Sequence, residues 1–173
     1  MIGYIRYIFL ILILASSTSI GFLLSSRYLN RVKELKALSN FINIIQNKIK
    51  FTRKPLKEIF LDLSKLEDDT NIKSIFFSLS KKIDNKKLSD VWNDVIEEEK
   101  KNLSLKEEDI SLLKTLGNTL GKSDVDGQMS GIDLFTELLK VQAQKAEKEK
   151  EKNAKMYKSL GAIIGLVIVI VLV

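Results

Sequence analysis

The chain has 173 residues, with 28 Lys and Arg against 22 Asp and Glu, and it contains neither Cys nor His. That composition excludes disulfides, thiol nucleophiles, Cys-based metal sites, a Ser-His-Asp triad and a His-based zinc site. One Pro and eight Gly leave few strand breakers, and a chain rich in Leu, Ile, Lys and Glu favours helices.

The net charge of +6 is localised. Residues 27–36 hold Arg27, Arg31, Lys33 and Lys36 against Glu34, and residues 140–158 hold seven Lys against three Glu. The stretch 37–139 between them carries 16 basic and 18 acidic residues. The excess therefore flanks the apolar chain ends, where anionic lipid headgroups reward it. A near-neutral body argues against a phosphate-binding face, so no nucleic-acid partner is expected.

Ile2–Leu24 contains one charge, Arg6. As a helix it reaches about 34 Å, enough to cross a hydrocarbon core of about 30 Å. Arg6 can snorkel to the headgroups, Tyr4 and Tyr7 suit that interface, and Tyr28 suits the opposite one. A cleaved signal peptide is the alternative, but only Arg6 is basic, the apolar run is long, and Ala15-Ser16-Ser17 falls in mid-run. A second apolar segment runs from Leu160 to Val173; from Met156, with Lys155 and Lys158 snorkelling, it reaches about 27 Å. Gly161 and Gly165 form a small-x-x-x-small pair that lets another helix approach, and the N-terminal segment is the nearest candidate. Basic residues at both ends of the connecting domain predict a cytoplasmic domain with both termini outside.

Between the apolar ends, hydrophobic periodicity predicts a succession of helices. Arg27–Lys50 continues the first segment, with Leu35, Leu38, Ile42, Ile45 and Ile49 on one face. Pro55 fits the first turn of a second helix carrying Leu56, Ile59, Phe60, Leu63 and Leu66. A third covers about 72–83 and a fourth about 88–100, which carries Trp92, the single Trp, expected in the core. Ser104 and Glu107 predict a capping box for a fifth helix that runs to about Leu116, with Gly117 and Gly121 bracketing its end. A sixth begins near Asp124, with Ile132, Leu134, Phe135, Leu138, Leu139 and Val141 apolar, and turns polar all round beyond Val141. The fold class is all-α, a helical bundle of about six helices between two terminal transmembrane helices. The predicted organisation is a transmembrane helix over 1–26, a bundle over 27–141, a polar helical stalk over 142–157 and a transmembrane helix over 158–173.

No motif in the chain carries recognisable chemistry. Gly117–Ser123 has three residues between its glycines where a Walker A loop needs four, and it follows a helix instead of a strand. Aligning Asp124–Gly127 with a calcium loop puts Lys122 at the first ligand position. The acidic triplets 97–99 and 107–109 read as solvated helix ends, one of which could dock a partner. No catalytic residue, cofactor, metal site or small-molecule substrate is expected.

Two segments carry a resemblance. The stretch from Asn153 through Lys155, Met156, Lys158, Gly161 and Gly165 resembles the membrane-proximal signature of the stage III sporulation protein AB family. Leu116–Asp124 with Gln128 resembles that family's G-E-T-L-G-x-x-D…Q segment, through Gly117, Leu120, Gly121, Asp124 and Gln128; Asn118 stands where Glu is expected. Pro55-Leu56, after an aromatic and a Thr, also matches, and the likeness covers nearly the whole chain. The resemblance implies a subunit of the channel joining mother cell and forespore, placed in the mother-cell membrane around the forespore. It implies a cytoplasmic domain similar to the type II secretion and type IV pilus inner-membrane platform protein. The implied partners are a secretion-type ATPase similar to stage III sporulation protein AA and other membrane subunits of the channel, besides anionic lipid. The alternatives are a membrane-anchored carboxylate hydrolase, for which no converging acids are placed, and a scaffold or receptor stalk with its domain outside the cell.

Overall fold

The structure is a computed structural model that describes residues 2–52, 54–68, 70–84, 86–120 and 125–172, with side chains from residue 7 onward except that of Val125. Helix α1 runs over Ile2–Thr52, α2 over Leu56–Ser64, α3 over Ile72–Lys82, α4 over Leu88–Glu99, α5 over Glu107–Thr119, α6 over Val125–Glu149 and α7 over Lys155–Leu172. A 3-10 turn, Lys100–Asn102, follows α4, and a π-helical segment, Lys150–Ala154, joins α6 to α7. The chain is all-α, with no strand among the described residues. It divides into two compact units, Met1–Asn30 with Ala146–Val173, and Arg31–Lys145.

The larger unit is organised around aromatic rings. Trp92 is fully buried, and its indole N–H donates to the Leu113 carbonyl at 2.9 Å. Phe60 and Phe76 lie 6.0 and 6.4 Å from it, and Phe41 lies 5.0 Å from Phe76, so α1, α2, α3 and α4 each contribute a ring. Leu35, Leu38, Ile42, Ile45 and Ile49 line the buried face of α1, as their three- and four-residue spacing predicts. Rings of this size dominate core energetics because each removes a large apolar area from water.

Several local expectations change. Pro55 sits at the N-cap of α2, and its carbonyl accepts the Glu58 and Ile59 N–H groups at 3.0 and 3.2 Å. Helix α5 begins at Glu107 after Lys106, and the cap is Asp109, whose carboxylate accepts the Lys106 N–H at 2.9 Å. Ser104 takes no part in it; its N–H donates to Glu34 at 2.7 Å. Gly117 does not end α5, which continues through Thr119. On α6, Ile132, Phe135 and Leu139 are buried, but Leu134, Leu138 and Val141 face solvent, as does Leu66 after α2. Their periodicity covers a wider arc than one unit's core can cover. The N-cap expected at Asp124 and the break expected at Gly121 lie outside the described residues.

In the smaller unit, the first thirty residues of α1 pair with the segment from Ala146 onward. The segment expected to be a regular helix, polar all round, differs twice: the π-helical turn interrupts it, and Ala146 and Ala154 are buried. Both are small, so their side chains let a neighbouring helix come close.

Candidate functional site

The smaller unit closes along a seam of small residues. On α1 these are Ser17, Gly21 and Ser25, four apart; on α7 they are Gly161 and Gly165. A Cβ added to Gly161 would lie 2.7 Å from the Gly21 Cα and 2.9 Å from the Ser17 carbonyl oxygen; one added to Gly21 would lie 2.7 Å from the Tyr157 carbonyl oxygen. No side chain fits there, so both positions require glycine for close backbone approach. The Ser17 hydroxyl donates to the Gly161 carbonyl at 2.7 Å across the seam. Thr18 and Ser19 instead donate to carbonyls one turn back on α1, which satisfies polar groups within an apolar segment.

At the end of the seam nearer the basic residues, Tyr28 and Tyr157 stack with ring centroids 5.7 Å apart and planes 16° apart. The Tyr28 phenol is also hydrogen-bonded to the Asn153 side chain; burial, then the neighbouring Tyr157, raises it above its ordinary value. Asn153, Gly161 and Gly165 are thus gathered onto one seam. Lys155, Met156 and Lys158 are exposed, and the Lys158 ammonium lies 5.8 Å from the Phe22 ring centroid.

The other predicted cluster divides. Gly117 is buried against Trp92, and a Cβ there would collide with the indole, so this glycine is required for packing. Leu120 is buried and its N–H donates to the Leu116 carbonyl at 3.1 Å. Gln128 is half-buried on α6. Gly121 and Asp124 lie outside the described residues.

Sequence reasoning missed a buried ionic cluster in the larger unit. Arg31, counted above among the basic residues beside the apolar end, has a side chain only 2% exposed. Its Nε and one terminal nitrogen donate to Asp109 at 2.7 and 3.0 Å, and the same terminal nitrogen reaches Glu108 at 3.1 Å. Glu34, one turn along α1, is also buried. Burial raises its carboxyl to about 7; Asp109 adds to the rise, and the Ser104 N–H opposes it. The available signal was the pairing of Arg31 and Glu34 at helical spacing, beside apolar residues, with unpaired acids at the start of a later helix. The other acidic triplet is bound up in surface pairs: Lys100 and Lys114 hold Glu97 down to about 2, Lys82 pairs with Glu98, and the Ser74 and Ser78 hydroxyls donate to Glu99 at 2.9 Å each. Among the described residues no group of three or more metal-binding side chains is placed to hold an ion.

Geometry and composition together define a class: a small all-α protein with two helices long and apolar enough to cross a membrane, bearing a helical bundle. The chain belongs to the stage III sporulation protein AB family, whose profile matches residues 6–173. It is 28% identical over 166 residues to stage III sporulation protein AB of Bacillus subtilis strain 168, an alignment covering 94% of this chain and 95% of that one. A solved structure of stage III sporulation protein AB superposes with a TM-score of 0.67 at 22% identity, covering 71% of this chain and 98% of that one, which shows the shared fold.

Proposed function

We propose that this sporulation-family protein is a non-catalytic membrane platform subunit of the channel between mother cell and forespore. In this reading its bundle lies in the cytoplasm, both termini lie outside, and the bundle docks a secretion-type ATPase. The observation that carries the membrane assignment is the distribution of side chains around the closed hairpin. The facing surfaces carry Ser17, Gly21, Gly161 and Gly165, with Leu14 against Gly165, while Ile8, Phe9, Ile11, Leu12, Ile163, Ile164 and Leu166 are exposed. In a protein interior those residues would be covered; facing outward on both helices, they suit lipid. The hydrocarbon cannot satisfy backbone polar groups, and two intact helices satisfy them internally.

The channel and ATPase assignments rest on family membership and on what that resemblance implies about secretion platform proteins. The absence of Cys and His agrees with a binding role in place of chemistry. The test is binding of the full chain, reconstituted in nanodiscs containing anionic lipid, to the purified partner ATPase. Saturable binding at micromolar concentration is expected. No binding at high micromolar concentration, with both proteins folded, would refute direct docking.

A further inference from the structure

The buried small residues of the C-terminal helical arm of the hairpin are Ala146, Ala154, Gly161 and Gly165, spaced by eight, seven and four residues. In a regular α-helix, seven residues fall short of two full turns by about 20°, whereas eight overshoot by about 80°. From Ala146 to Gly165 is nineteen residues, one more than five complete turns, so a regular helix would carry Ala146 about 100° off the face that holds Gly165. Both are nevertheless buried in one unit. The π-helical segment, Lys150–Ala154, lies inside the eight-residue step, and a π-bulge accommodates one extra residue in an α-helix.

We propose that this π segment is a register device: it absorbs one residue so that the small-residue seam stays continuous from Ala146 to Gly165. The segment also delivers Asn153 to the Tyr28 phenol, next to the Tyr28–Tyr157 stack, which pins the register at the point of insertion. The two glycines and the two alanines then act as one surface, with a wider helical step at one place. This holds whether or not the protein docks an ATPase, because it rests only on packing within the hairpin.

The chain has no native Cys, so introduced cysteines report without background. A Cβ at position 165 would lie 3.0 Å from the Ser17 Cβ, close enough for a disulfide after a small shift. The Ser17→Cys, Gly165→Cys pair therefore reads closure of the lower seam, and maleimide protection of Ala146→Cys reads the upper seam, each in full-length chain in liposomes. Deleting Lys152 alone converts the π segment to regular helix and restores eighteen residues between the seam ends. Crosslinking and protection should both stay within about twofold of the parent. Deleting Glu151 and Lys152 together, or inserting one Ala after Lys152, turns the faces apart by about 100°, and at least one readout should fall about fivefold or more. The proposal is overturned if the single deletion loses either readout, or if the double deletion or the insertion keeps both.

Discussion

Arg31 shows how much one side chain changes meaning once its surroundings are known. By position it belongs to a cationic run; by structure it is the counter-ion of Asp109, with Glu34 buried one turn away. Removing one partner of a buried pair leaves the other charge without compensation. Arg31→Met should therefore cost about 3–5 kcal/mol, read as a lower melting temperature of the full chain in detergent, and Asp109→Leu on that background should recover part of the loss. Glu34 makes a pH-dependent contribution. Its folded value near 7 lies above the ordinary 4.5, so the folded state holds a proton that the unfolded state releases. The associated stabilisation is complete below about pH 4.5 and is lost as pH rises through 7. Glu34→Gln should flatten the difference in stability between pH 5 and pH 8 by about 1–2 kcal/mol, after allowance for screening. An unchanged slope in the variant would assign the pH dependence to other groups.

Helix contacts depend on a few positions without side chains. Gly117 seats α5 on Trp92 of α4, and Gly131 seats α6 against Thr119 of α5, where an added Cβ would strike the threonine methyl. Gly117→Ala meets a rigid indole and should destabilise by about 1–3 kcal/mol despite the helix-favouring substitution. Gly131→Ala meets a small side chain, so Thr119→Ala should relieve most of its cost. A double-mutant cycle on melting temperature should give a coupling of about 0.5–2 kcal/mol. Simple additivity would mean that the two helices adjust their spacing instead. The capping of α5 illustrates competition among local signals. Ser104 and Glu107 have the capping-box spacing, but Ser104 N–H has a buried carboxylate to serve, and Asp109 caps from the third helical position.

For the chain as a whole, the prediction concerns orientation. The basic excess beside both apolar segments favours the cytoplasmic side, even after Arg31 is discounted as paired. A fusion after residue 100 should be active with a reporter that works in the cytoplasm and silent with one that works only outside. The reverse pattern would favour an external scaffold or receptor stalk. The outward-facing Ile, Leu, Val and Phe of the hairpin also predict that the full chain needs detergent or lipid to remain dispersed.

Composition and periodicity alone were enough for the helical class, the two apolar ends, most helix limits to within a few residues, the core face of α1 and the burial of Trp92. These follow from local properties: a 3.6-residue repeat records which face is covered, and an apolar run long enough to span a bilayer needs no knowledge of its neighbours. The Gly161–Gly165 pair was legible for the same reason, since close approach requires small residues at one-turn spacing. Only tertiary structure decided that Gly117 packs under Trp92, that Arg31 and Asp109 are a buried pair, that Leu134, Leu138 and Val141 remain uncovered, and that one residue is absorbed in a π turn. Each of these depends on what arrives opposite a residue from far along the chain. The partner of Arg31 is 78 residues away and that of Ser17 is 144, distances over which no local spacing rule carries information.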